Sequence, residues 1–297
     1  MSASPQVVVT LDGQVGDPDG PVLHADDLGA VRGDGVFETL LVRGGRACLV
    51  GAHLRRLAGS AALMDLPPPE PDRWREAIDT AVTRWAGLTD AEGVLRLVYT
   101  RGRESDRNRE PAPTAYLTVG PVAQRVAAAR RDGVAAVLLE RGLPTRGAEA
   151  TPWLLAGAKT LSYAVNMAAL RHAARSGADD VVFISADGYV LEGPRSTVVI
   201  AAPGDSGRPC LLTPPPWYPI LRGTTQQALF EVARARGYDC DYQALRPADL
   251  FSADGVWLVS SITLAARVHT LDGRSLPPCP LAAELAGLVD SAVAGDR

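Results

Sequence analysis

Apolar positions alternate with polar ones, or recur at helical spacing, in a series of short blocks along the 297 residues. Residues 7–11, a run of three valines followed by Thr10 and Leu11, predict a strand, and a turn-rich stretch follows through Asp12-Gly13 to Gly20. Residues 36–42 and 47–50 flank Arg43-Gly44-Gly45-Arg46, which predicts a hairpin. Leu54, Leu57, Ala58, Ala61, Ala62 and Met64 lie on one face of a helix predicted over 53–66, and Pro67 to Pro69 end it. A second helix is predicted over 72–85, then strands over 94–99 and 116–119, with a polar loop over 101–113 between these strands.

Residues 120–131 read as the connection between two domains, 1–122 and 123–297. Beyond it the pattern predicts a strand over 134–139, a loop over 143–151, a helix over 161–175 stopped by Ser176-Gly177, and a hairpin over 181–191 turning at Asp187-Gly188. A strand over 196–201, a rigid segment over 214–219, a helix over 225–236 and a strand over 256–260 complete the reading. Hairpins mixed with helices indicate an α+β fold in two domains.

Composition narrows the function classes. The net charge of -4 and the absence of a dominant basic patch argue against nucleic acid as a partner. No apolar run reaches the roughly 20 residues of a membrane helix, and residues 1–12 lack the pattern of a signal peptide. Cys48, Cys210, Cys240 and Cys279 are scattered, so neither a metal site nor a disulfide framework is expected, and a cytoplasmic enzyme with reduced thiols fits best.

One count changes the picture. Of the 30 Lys and Arg residues only Lys159 is lysine. A bias toward arginine explains why lysine is rare. Guanidinium cannot replace an amine that must lose its proton, so the surviving lysine is a candidate for chemistry. Lys159 follows the small residues Ala156-Gly157-Ala158. Glu192 lies 33 positions on, at the end of the predicted hairpin, and could partner a pyridine nitrogen, although a turn carboxylate is the plainer reading. Gly223-Thr224-Thr225 opens a predicted helix and offers N–H groups and hydroxyls to a phosphate, although Thr is also a common helix cap.

The order and spacing of these segments resemble the class IV, or fold-type IV, pyridoxal-phosphate enzymes, a family of branched-chain aminotransferases, D-amino acid aminotransferases and 4-amino-4-deoxychorismate lyases. The resemblance runs roughly from Asp26 to Gly273. It rests on Gly33-Asp34-Gly35-Val36-Phe37-Glu38-Thr39, on His53-Leu54-Arg55-Arg56-Leu57, on Lys159, on residues 187–193 and on Gly223-Thr224-Thr225. It implies a small N-terminal domain and a larger C-terminal domain with a β-barrel-like core. It implies pyridoxal 5'-phosphate held as a Schiff base by Lys159, with Arg56, Thr224, Thr225 and Ser261 on the phosphate and Glu192 on the pyridine nitrogen. Homodimerisation is implied as well, with the loop over 101–113 serving the neighbouring subunit. The chain departs from the family where Thr197 replaces an asparagine, Tyr163 stands where an asparagine is frequent, and Arg32 replaces an aromatic residue.

Among the family's reactions the lyase is the leading expectation. Lys159 would remove the proton from the carbon bearing nitrogen in 4-amino-4-deoxychorismate and assist departure of the enolpyruvyl group, giving pyruvate and 4-aminobenzoate. Arg32, Arg96 and Arg107 are the candidates for the two substrate carboxylates. The alternative is a D-amino acid aminotransferase, for which Arg107-Asn108-Arg109 suggests a carboxylate trap without its histidine. A branched-chain aminotransferase and a degenerate binding protein rank lower.

Overall fold

In a computed structural model, which describes residues 6–106, 112–146, 151–204 and 209–295, the chain divides into two units. Residues 1–123 group with 158–163, and residues 124–157 group with 164–297. The first break lies between residues 123 and 124. The six residues around Lys159 belong by their contacts to the first unit, although they lie within the second in the sequence.

The first unit is built on a six-stranded antiparallel sheet. Its strands are β1 (Val7–Thr10), β2 (Val15–Gly16), β3 (Gly35–Arg43), β4 (Arg46–Ala47), β5 (Gly93–Thr100) and β6 (Ala115–Pro121), in the order β2-β1-β6-β5-β3-β4. Helices α2 (Val50–Leu63) and α3 (Pro71–Ala86) carry apolar stripes and cover one face. Leu40, Leu57, Trp74, Ile78, Trp85, Leu95, Leu97 and Leu117 are fully buried there. A short helix, α1 (Leu28–Arg32), is capped by Asp27, whose carboxylate accepts from Gly29 N and from the hydroxyls of Thr100 and Thr114. The expected hairpin is real but its second arm is short. Leu49 adopts a left-handed backbone at φ 56°, and Val50 already opens α2.

The strands of the second unit are β7 (Val134–Glu140), β8 (Asp180–Ile184), β9 (Thr197–Pro203), β10 (Pro209–Thr213), β11 (Asp239–Tyr242), β12 (Gly255–Ser260), β13 (Leu264–Leu271) and β14 (Arg274–Ser275). Their order is β11-β10-β9-β12-β13-β7-β8, with β14 beside β13. Pairing is mixed: β7 is parallel to β8 and β13, whereas β9 and β12 are antiparallel. Helices α4 (Gln124–Asp132), α5 (Ala164–Arg175), α6 (Thr224–Ala235), α7 (Pro247–Ser252) and α8 (Ala282–Ala294) complete the unit. One buried cluster joins Val182, Val190, Val198, Ile200, Val256, Leu258 and Val268, and another lies under α5 around Phe183, Leu191 and Ile220. The segment expected as a linker is in part helix α4. The helix expected from residue 161 begins at Ala164, because the residues before it are extended against β3.

Candidate active site

Lys159 is held by backbone pairing. Val36 and Thr160 form an antiparallel bridge, Phe37 N donates to Lys159 O at 3.0 Å, and Leu161 N donates to Gly35 O at 2.8 Å. The lysine segment thus adds to the half of β3 that β4 leaves unpaired. Lys159 N donates to Ser60 Oγ on α2 at 3.0 Å, which fixes the segment from a second element. Gly35 is a packing requirement. A Cβ there would lie 2.8 Å from Leu161 Cδ1 and 2.7 Å from Tyr99 O, so the lysine segment can approach only a bare backbone.

This register places Lys159 directly across from Phe37 and on the same face of the sheet. Phe37 pairs with Val98 and Val98 with Tyr116, and the next row on that face is Thr39, Arg96 and Thr118. Arg96, exposed on β5, therefore shares a face with Lys159, opposite the face that α2 and α3 cover. Arg32 is exposed at the C-terminal end of α1. Arg107 lies outside the described residues.

Arg56 sits one helical turn before Ser60 on α2. Its Nε and Nη2 donate to the two carboxylate oxygens of Glu38, each at 2.7 Å, and Nδ1 of His53 lies 2.7 Å from Glu38 Oε2. Glu38 is fully buried and His53 nearly so. Burial alone would push the Glu38 carboxyl up, but the Arg56 guanidinium and then His53 outweigh it and hold the group far below the usual carboxylate range. Burial pushes His53 down. Glu38 opposes that shift, and the charges of Arg56 and Lys159 add to it. An ionised carboxylate beside a neutral imidazole puts the ring proton on Nδ1. Sequence reasoning assigned a role to Arg56 but none to Glu38 and His53, which it named only within motifs, and it did not single out Ser60. The available signal was Glu38 itself, an acid on the buried side of an apolar strand.

In the second unit the backbone around residues 183–192 forms the expected hairpin: Phe183 N donates to Glu192 O, and Leu191 N to Phe183 O. Glu192 Oε2 accepts from Leu221 N at 3.0 Å, which ties the carboxylate to the segment leading into α6. Gly223 caps that helix, and a Cβ on it would collide with Thr197 Oγ1. Thr197 pairs with Val259 on β12, one residue before the Ser260–Ser261 turn. Glu192, Thr197, the start of α6 and the Ser261 turn are therefore linked within one unit. Thr224 and Thr225 occupy the first turn of α6 and are buried, and among the described residues Thr225 Oγ1 has no hydrogen-bond partner. A buried hydroxyl left unsatisfied beside the N–H groups of a helix N-terminus fits an anionic oxygen such as that of a phosphate ester.

Known proteins share this sequence pattern and this fold. The profile of the class IV aminotransferase family matches residues 35–271. The chain is 69% identical over 293 residues to the bifunctional aminodeoxychorismate lyase / D-amino acid transaminase of Mycobacterium tuberculosis H37Rv, covering 98% of this chain and 100% of that one. A solved M. tuberculosis structure described as a hypothetical aminotransferase in its PLP-bound form superposes with a TM-score of 0.94, at 68% identity, over 99% of this chain and 100% of that one. The 4-amino-4-deoxychorismate lyase of Pseudomonas aeruginosa shares the fold, with a TM-score of 0.73 at 24% identity over 92% of this chain and 96% of that one. The chain belongs to the class IV aminotransferase family, with the fold-type IV architecture of two α+β units. Among the described residues no group of side chains is placed to hold a metal ion, and no helix is long and apolar enough to cross a membrane.

Proposed function

We propose that the protein is a pyridoxal 5'-phosphate enzyme that splits 4-amino-4-deoxychorismate into pyruvate and 4-aminobenzoate, and that it transaminates D-amino acids as a second activity. The observation that carries the reading is the position of the sole lysine. It is fixed on β3 and shares a sheet face with Arg96, in a chain 69% identical to a relative named for both reactions.

In the first unit Lys159 would hold the cofactor covalently, and Arg56, clamped by Glu38, would meet its phosphate. In the second unit the phosphate ligands would be Thr224, Thr225 and Ser261, and Glu192 would take the pyridine N–H. The unsatisfied Thr225 hydroxyl and the fixed Glu192 carboxylate both suit such a molecule. The bound cofactor supplies an electron sink for the carbon bearing the substrate nitrogen. Lys159 is the base at that carbon and then the acid toward the departing enolpyruvyl group. Arg96, Arg32 and Arg107 are assigned to the substrate carboxylates, for which a guanidinium fork is suited. Transamination needs the same lysine to return the proton to the cofactor instead, so pocket residues decide the outcome.

We place the enzyme in the cytoplasm and propose that it works as a homodimer. Trp153, Val165 and Trp217 of the second unit are large apolar side chains left exposed in the single chain. Light scattering at the mass of one chain would remove the dimer. Activity is tested by giving the purified protein 4-amino-4-deoxychorismate in one assay and D-alanine with 2-oxoglutarate in another. Release of pyruvate and 4-aminobenzoate without a keto acid acceptor establishes the lyase. Turnover only in the second assay removes it and recasts Arg96 as an amino acid carboxylate ligand.

A further inference from the structure

Within the first unit the Nζ of Lys159 lies 4.4 Å from the centroid of the Phe37 ring and 5.8 Å from that of Tyr163. The two rings meet edge to face, with centroids 5.4 Å apart and planes at 87°. The backbone register produces the first contact, because Phe37 and Lys159 are directly opposite across the bridge between Val36 and Thr160. A tight turn produces the second. Tyr163 N donates to Leu161 O at 2.7 Å and brings the ring back over the lysine.

We propose that Phe37 and Tyr163 are positioning residues, a two-walled aromatic seat that holds Lys159 in its ammonium form between its work as base and its work as acid. The inference rests on the role of Lys159 proposed above and deepens it. A ring face attracts the ammonium and not the neutral amine. The seat therefore acts on one protonation state only, and a contact of this kind shifts the protonation equilibrium by about twofold to thirtyfold. Among the described residues His53 on α2 feels the charge of Lys159, and His53 is joined through Glu38 to Arg56. Glu38 points to the opposite side of β3 from Phe37 and is engaged by Arg56 and His53. Replacing Phe37 leaves that network in place, so the contribution of the ring can be read separately. Tyr163, which departs from the asparagine frequent in the family, then has a function as the second wall.

The composition of the chain allows a direct test. Lys159 is the only lysine, so full-length protein grown on lysine labelled with carbon-13 at the ε position gives one lysine signal. Its pH titration is recorded for the chain without cofactor and for the chain loaded with pyridoxamine 5'-phosphate, which leaves the lysine amine uncoupled. The seat predicts a lower titration midpoint in Phe37→Leu, by about fivefold in the protonation equilibrium, together with loss of the ring-current displacement of the ε-protons. Phe37→Tyr keeps both, and Tyr163→Leu gives a smaller fall because its ring is farther away. Equal midpoints in wild type, Phe37→Leu and Tyr163→Leu overturn the proposal. If Phe37→Leu does not fold, Phe37→Tyr and Tyr163→Leu carry the same comparison. Failure of Lys159 to bind the cofactor covalently would overturn the role of the lysine instead, and would leave the titration result standing.

Discussion

Replacing Glu38 by Gln keeps the side chain's shape and removes its charge. The carboxylate receives three contacts at 2.7 Å, two from Arg56 and one from His53, in a fully buried position. The amide presents an NH₂ to one of these donors, so at least one donor faces another donor. The Arg56 guanidinium, with only 14% of its side chain exposed, loses its counter-charge. Breaking a buried pair in this way costs about 3–5 kcal/mol. A domain has about 5–15 kcal/mol in hand, so Glu38→Gln should fold but unfold at clearly lower denaturant. Urea unfolding followed by circular dichroism measures the loss, and equilibrium dialysis measures the affinity for pyridoxal 5'-phosphate. With Arg56 no longer fixed, that affinity should fall by about tenfold or more, as expected for losing one oriented charge-assisted contact. Arg56→Lys should fail in both assays too, because an ammonium cannot make the two-pronged contact. A stability loss below about 1 kcal/mol with unchanged cofactor affinity would refute the reasoning, since it would place the network at the level of a surface ion pair.

Further expectations follow from the same geometry. Gly35→Ala drives a methyl to within 2.8 Å of Leu161 Cδ1 and Thr100 Cα, and should cost about 1–3 kcal/mol while displacing the lysine segment; wild-type stability and turnover would contradict that role for the glycine. Thr225→Val removes the unsatisfied hydroxyl at the start of α6, and should weaken cofactor binding about fivefold or more without loss of fold stability. A variant that binds as tightly as wild type would move the phosphate elsewhere. Stability should also fall on acidification. His53 and Glu38 both take up protons less readily folded than unfolded, so unfolding gains protons as the pH drops. His53 contributes from about pH 6.5 downward and Glu38 from about pH 4.5 downward, each by at most about 1.4 kcal/mol per pH unit. A melting temperature that is flat between pH 7 and pH 5, or one whose slope is unchanged in His53→Asn, would count against the neutral imidazole.

Local pattern made part of this legible from sequence. The alternation in residues 36–42 and 94–99 marks strands that the structure extends by a residue or two, because each has one face under α2 and α3 and one face left less buried. The stripe of Leu54, Leu57 and Ala61 marks α2 for the same reason. The strand β13 escaped because Arg267 and His269 interrupt its apolar run, and α8 because its alanines and glycine carry little periodic contrast. Residues 159–161 could not be read as β-paired from their neighbours, since their partner lies more than 120 positions earlier, at 35–37. The candidate site shows the same division. Lys159 stands out by composition and Arg56 by motif, whereas Glu38 and Ser60 acquire their roles through contacts between distant segments. Gly33-Asp34-Gly35 is legible as a motif but not as a mechanism. The structure supplies the reason, with Leu161 against Gly35 and the Arg101 guanidinium 2.7 Å from Asp34.

The central claim is that Lys159 carries the cofactor, and borohydride reduction tests it most directly. The purified protein is loaded with pyridoxal 5'-phosphate, reduced, digested and analysed by mass spectrometry. The account predicts loss of the yellow absorbance and one modified peptide, bearing the reduced cofactor on Lys159. Cofactor absorbance and lyase turnover persisting in Lys159→Ala, with no modified Lys159 peptide from the wild type, would contradict it.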